Sequence, residues 1–256
     1  METLLQSVSE RGVATITFNR PDRANSYDSA TLDALTDVIE KFGGDPSVRM
    51  ILLRGAGKHF SAGAAIGEGA VQPRLSMGEV CALIDSVPKP TIALVQGACI
   101  GGALAIASCC DMILAGRAAT FAIPEVRLGF APGPLISFFV RAMGHRAVRH
   151  YLLSGERFTA EEALRMGLVA RLCETDDLER QLDHLIDECL LGAPGALARA
   201  KQLLQSLAIP PIPDARQLRD QQSAFDAASG SEEATEGRAS FREKRKPRWY
   251  SPTTAG

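Results

Sequence analysis

The sequence predicts an α/β fold, on three observations. Short runs of β-branched and aliphatic residues, VATITF (13–18), MILL (50–53), TIALV (91–95) and MILA (112–115), each run into a glycine or a polar turn. Longer stretches between them place apolar residues at helical spacing. Beyond about residue 145 the strand-like runs stop and helical segments follow one another. Alternating strands and helices therefore build a core, and helices close the chain.

Val13–Phe18 reads as a strand because its residues suit a pleated, half-buried surface, and NRPDRANS after it is a turn signal. In DSATLDALTDVIEKF, Leu32, Leu35, Ile39 and Phe42 fall on one helical face, behind a cap at Asp28 or Ser29. Met50–Leu53 is a short buried strand ending at Gly55. A helix over roughly 76–86 leads into PKPTIALVQG, whose Thr91–Val95 is a third strand. The stretch QGACIGGALAIASCCD (96–111) supplies a further helix, and MILA a further strand. HRAVRHYLLSG, TAEEALRMG, 176–191 and 195–207 read as successive helices. AIPPIPD (208–214) is a proline-rich connector, and a polar helix pair runs from it to about Arg245. The expected boundary lies between a core over residues 1–192 and a helical region over 193–256.

With 256 residues, 46% of them hydrophobic, the chain is long enough to bury a substantial core. Its net charge of −2 offers nucleic acid no basic excess, and no run reaches the ~18 apolar residues of a membrane span. Neither nucleic acid nor a membrane is an expected partner. METLLQSVSERG lacks a basic region followed by an apolar core, so no secretory signal is expected. The six cysteines, at 81, 99, 109, 110, 173 and 189, form no CxxC pair. They read as free thiols in a reducing compartment, which makes the cytoplasm the expected location, and no metal site is expected.

Two glycines at the start of a buried helix, Gly101 and Gly102, ask for a reason, since an interior glycine costs roughly 0.5–1 kcal/mol relative to alanine. One reading is close helix–strand packing. The other is exposure of a backbone N–H to a ligand, because the first amides of a helix are unpaired and lie at the positive end of its dipole. HFSAGAAIGE (59–68) is a second small-residue segment with the same potential. Two amides, one from each segment, would hold a developing oxyanion. Dinucleotide binding does not fit, because GACIGG lacks the GxGxxG spacing. No GK[ST] follows a glycine-rich run, and Ser61 stands in no GxSxG. Glu125, in TFAIPEVRLGFAPG (120–133), lies among apolar residues. Burial there would raise its pKa and suit it to general-base work, unless Arg127 or another cation pairs with it.

Together these segments resemble the crotonase, or enoyl-CoA hydratase/isomerase, superfamily. The resemblance spans nearly the whole chain, in order: NRPDRANS, HFSAGAAI, PKPTIALVQGACIGGALAIASCCDMILAG, FAIPEVRLG, LSGERFTAEEALRMGLV and FREKRKPRW. It implies a spiral of ββα units followed by helices that trimerise, with trimers often paired into hexamers. It also implies an acyl-CoA substrate, with coenzyme A part of that substrate and no separate cofactor. By the resemblance, Ala64 and Gly102 supply the amides that hold the thioester oxygen, and Glu125 is the catalytic carboxylate. Arg23, Ala62 and Ile66 fall where the nucleotide part of CoA is clasped, and Phe241 and Lys244 where a neighbouring subunit's CoA is reached.

The sequence departs from the hydratase pattern at three places. Hydratases of this family carry a first glutamate three residues after Gly102, and Ala105 stands there. Ala65 replaces a common aspartate, and the turn PGxGG reads Pro132-Gly133-Pro134-Leu135. A single carboxylate suits a double-bond shift from 3-enoyl to 2-enoyl, as in family isomerases. Hydration without the usual first glutamate, another enolate reaction, and a non-catalytic acyl-CoA-binding homologue are the alternatives.

Overall fold

A computed structural model describes residues 2–65, 73–207 and 213–250. Its main sheet has six strands in the order β1 (Leu4–Val8), β2 (Val13–Phe18), β3 (Met50–Gly55), β4 (Thr91–Val95), β6 (Met112–Gly116) and β9 (Arg171–Cys173). The β1–β2 pair is antiparallel and every later pair is parallel. A second sheet joins β5 (Ala98–Ile100), β7 (Thr120–Ala122) and β8 (Arg157–Thr159). It is this small sheet that brings the segment before Glu125 beside the glycine pair.

Alternation along the strands sorts the side chains onto two faces. Ile51 and Leu53 of β3, with Ala93 and Val95 of β4, join the larger core. Met50, Leu52, Ile92 and Leu94 face the other way, onto Leu178, Leu182 and Ile186 of α6 (Leu178–Leu191). A slip of one residue would exchange the two sets, and each fully buried Leu or Ile is worth about 1.5–3 kcal/mol, so the register is strongly fixed.

The helices begin where local chemistry allows. Asp28 caps α1 (Ser29–Gly44) by accepting from Thr31 N. Ser76 and Glu79 form a reciprocal capping box at α2 (Met77–Ser86), as Thr159 and Glu162 do at α5 (Ala160–Arg165). Helix α3 (Gly102–Ser108) has only seven residues, with Gly102 to Ala107 all buried. Helix α4 (Ile136–Ser154) bends at Gly144, whose backbone is non-helical (φ 77°).

The region after residue 192 folds back on the same chain. Lys201 of α7 (Pro194–Ser206) pairs with Asp111 at 2.8 Å. Leu218 of α8 (Ala215–Ser229) and Pro134 both lie against Gly78. Phe225 meets Phe130 edge to face at 5.2 Å, five residues beyond Glu125. Helix α9 (Glu232–Arg242) lies against the turn Glu125–Leu128. The C-terminal helices thus wall the segment that carries Glu125. Among the described residues, no helix is long and apolar enough to cross a membrane.

Strand β1 and the small sheet go beyond the elements read from the sequence. LLQSV shows one buried residue followed by four exposed ones, so it has no alternation to detect. The strands of the small sheet have three residues each, too short for a period-2 pattern.

Candidate active site

The turn at 20–27 and the segment 59–65 are stitched together by Asn25. Its buried amide donates to Ala56 O at 2.9 Å and His59 O at 2.7 Å, and its Oδ1 accepts from Arg20 N at 2.9 Å. The Asn25 carbonyl accepts from Ser61 Oγ at 2.7 Å, so that buried hydroxyl is engaged in holding the backbone. Asn25 itself has φ 55°, a left-handed conformation that asparagine tolerates better than most residues. Replacing it by alanine leaves the part-buried carbonyls of Ala56 and His59 and the Arg20 amide without this partner. Asn25→Ala is therefore expected to lower stability by about 2–4 kcal/mol, read as a shifted urea midpoint at constant m-value.

Segment 61–65 is then clamped on both sides. Ala62 N donates to Ala24 O, Tyr27 N to Gly63 O and Ala65 N to Tyr27 O, at 2.8–3.0 Å. On the opposite side, Ser61 N donates to Ala98 O at 3.0 Å and Ile100 N to Ser61 O at 3.1 Å. Parallel pairing of Tyr27 with Ala64 uses the Gly63 carbonyl and the Ala65 N–H, the Gly63 N–H donates to Ser61 Oγ at 3.2 Å, and the Ala64 N–H is left without a partner among the described residues. Gly102 N, at the first position of α3, has no backbone partner among them either. The two segments lie close, since a Cβ built on Gly63 would stand 3.9 Å from Gly102 N. A helix of two turns has little macrodipole to offer, so any grip on an anion here comes from the amides themselves.

Gly101 and Gly102 answer to different neighbours. Gly101 has φ 59° and ψ −125°, in the mirror-β region that side chains exclude. A Cβ on it would stand 2.7 Å from Glu125 Oε1. A Cβ on Gly102 would stand 1.9 Å from the Tyr27 hydroxyl. Close packing and open amides are thus one arrangement: the missing side chains make room for an acid and a phenol.

Glu125 opens a short 3-10 turn, Glu125–Leu128, reached from β7 through Pro124. Gly101 N donates to Ala122 O at 2.9 Å, which ties that approach to the glycine pair. The carboxylate is 8% exposed and its Oε2 has no hydrogen-bond partner among the described residues. Arg127 is turned away, donating to Ser154 O at 3.1 and 3.3 Å. Burial without a cation pushes the Glu125 pKa up to about 7, while its own backbone amide pulls weakly the other way. Ala105 is fully buried one turn into α3.

The structure therefore gathers Ala62, Ala64, Gly102 and Glu125 around one place, with Arg23 exposed on the turn next to Ala62. Phe241 is 63% exposed, and Lys244, after the end of α9, is also exposed. Neither makes a ring contact or hydrogen bond to this cluster among the described residues. Ile66 lies outside the described residues. A separate cavity of about 340 Å³, bounded by Asp85, Asp111, Arg141 and Gly167 among others, shares no lining residue with the cluster. Sequence reasoning overlooked Asn25 and Tyr27. The signal for Asn25 was its place in a turn motif; for Tyr27 no local signal distinguishes an ordinary core aromatic.

The whole chain resembles known proteins in sequence and in fold. The enoyl-CoA hydratase/isomerase family profile matches residues 8–252. A carnitinyl-CoA dehydratase of Escherichia coli K12 is 32% identical over 261 residues, covering 97% of this chain and 99% of its own. The crystal structure of an enoyl-CoA hydratase from Mycobacterium avium subsp. paratuberculosis K-10 superposes with a TM-score of 0.89 at 28% identity, covering 98% of this chain and 100% of that one. A methylmalonyl CoA decarboxylase structure superposes with a TM-score of 0.83 at 28% identity, covering 98% and 99%. The match runs almost the full length in sequence and in space, and the chain belongs to the enoyl-CoA hydratase/isomerase family.

Proposed function

We propose that the protein shifts the double bond of a 3-enoyl-CoA to the 2,3 position, with Glu125 as the single acid–base group. One observation carries this reading. Among the described residues only Glu125 and Glu236 are buried carboxylates, and Glu236 is paired with Arg245 and Arg248. Glu125 alone is free to take a proton, and the helix face beyond Gly102 offers Ala105 instead of a second acid.

The chemistry needs two things from the chain. The Ala64 and Gly102 amides hold the thioester oxygen, and each such donor is typically worth ~10²–10³ in rate. Glu125 takes a proton from the α-carbon, and the C–H electron pair forms a C1–C2 double bond as the carbonyl π pair moves onto the thioester oxygen, giving a dienolate. As that oxyanion collapses back to the carbonyl, the C1–C2 π pair becomes the 2,3 double bond, the 3,4 π pair takes the proton from Glu125 at the γ-carbon, and the carboxylate is regenerated. Arg23, Ala62 and Ile66 clasp the nucleotide end of CoA, and Phe241 and Lys244 reach it from a neighbouring copy in a homotrimer or a pair of trimers. No further cofactor is called for, because the thioester itself acidifies the α-proton. A reducing compartment, the cytoplasm, suits six unpaired cysteines.

Hydration of a 2-enoyl-CoA is the second reading, favoured by the hydratase and dehydratase names of the relatives. Spectrophotometric assays with 3-enoyl-CoA and 2-enoyl-CoA side by side separate the two. Isomerisation without comparable hydration is expected; ready hydration with no double-bond shift would overturn the proposal. The active form of Glu125 is the carboxylate, so kcat/KM is expected to fall about tenfold per unit below pH 7 and to level off above it. A flat profile from pH 5 to 8 would rule out this carboxylate as the base.

A further inference from the structure

Tyr27 is the polar side chain that the proposed mechanism leaves unused. Its ring is buried, 4% exposed, and its backbone pairs with both sides of Ala64. Its hydroxyl occupies the space beside the Gly102 Cα where a side chain would otherwise begin, next to Met77 Cε. One residue therefore spans both amide-bearing segments. Burial above all, then the nearby Cys81, Glu125 and Cys99 groups, hold the phenol's pKa well above the ordinary value. The phenol stays protonated, a donor and not an anion. Among the described residues it forms no hydrogen bond.

The position on α3 adds a second argument. Residues i and i+3 share a helix face, and side chains lean toward the N-terminus. A side chain at 105 would therefore reach back toward the place beside Gly102 that the Tyr27 hydroxyl fills. The small alanine at 105 thus keeps a longer side chain from leaning toward the phenol.

We infer that the Tyr27 hydroxyl is a third hydrogen-bond donor to the substrate's thioester oxygen, acting with the Ala64 and Gly102 amides. The inference rests on the proposed reading that this oxygen binds at those amides. A donor aimed at the oxygen strengthens its bond as negative charge develops, so it lowers the barrier more than it tightens ground-state binding.

The test is Tyr27→Phe, which keeps the ring and removes only the hydroxyl. Because that hydroxyl bonds to no described group, the variant is expected to fold and melt like the wild type. Hydrogen–deuterium exchange at the α-carbon of butyryl-CoA in D₂O reads enolate formation whichever product the enzyme makes. Exchange is expected to slow by about 10²-fold, while butyryl-CoA affinity by calorimetry changes less than about threefold. The infrared carbonyl stretch of bound ¹³C=O-labelled butyryl-CoA is expected to move back toward its free value. Wild-type exchange and carbonyl frequency in Tyr27→Phe would overturn the inference, as would slowed exchange with an unchanged carbonyl. If wild type and Glu125→Gln exchange equally, Glu125 is not the base and the proposed function falls, while the carbonyl shift in Tyr27→Phe still decides the inference.

Discussion

Glu125→Gln is expected to cut turnover of 3-enoyl-CoA by about 10³–10⁴-fold with KM little changed, because the amide keeps the shape and loses the base. The same substitution is expected to stabilise the fold at neutral and alkaline pH. A carboxyl group whose folded pKa is raised holds its proton more tightly when folded. Its favourable contribution is complete below the ordinary value of 4.5 and is lost as pH rises to about 7, above which the buried charge is fully present. That difference corresponds to about 3 kcal/mol. Urea unfolding should therefore show Glu125→Gln gaining on wild type as pH rises from 5 to 8. Full activity in the variant would remove Glu125 from the mechanism. Equal stability at both pH values would show that the carboxylate is solvated and not desolvated.

Gly101→Ala is expected to disable the site and weaken the fold together. The alanine Cβ must adopt a mirror-β conformation, at a cost of about 1–3 kcal/mol, and it meets Glu125 Oε1 at 2.7 Å. Either the carboxylate moves or the start of α3 moves, and each breaks the alignment between base and amides. A displacement near 1 Å can cost about 10²-fold in rate, so activity should fall at least that far. Thermal melting and steady-state assays on one preparation check both effects. A variant as stable and active as wild type would mean that Gly101 holds neither strain nor the carboxylate in place.

Much of this arrangement could be read from the sequence because it rests on local signals. The strands at 13–18 and 91–95 appear at the bounds their composition implies, Asp28 caps the first helix as one of the two residues expected to, and the helix expected over roughly 76–86 spans Met77–Ser86. Glu125 could be singled out because a carboxylate among apolar residues has few ways to stay solvated. Burial without an ion pair was beyond the sequence, since Arg127 could have turned toward Glu125 but binds Ser154 O. Tyr27 was hidden for a related reason. Its meaning depends on a contact with Gly102, 75 residues away, which only the pairing of three separate segments creates. The reach of Asn25 to Ala56 and His59 is equally long-range. In the C-terminal helices, polarity announced helix but not which surface they would cover.

A crystal structure with a bound acyl-CoA analogue tests the central claim most directly. The account predicts a thioester oxygen about 2.7–3.1 Å from both Ala64 N and Gly102 N, with the α-carbon beside the Glu125 carboxylate. A carbonyl turned away from those two amides, with Glu125 distant from the α-carbon, would contradict it.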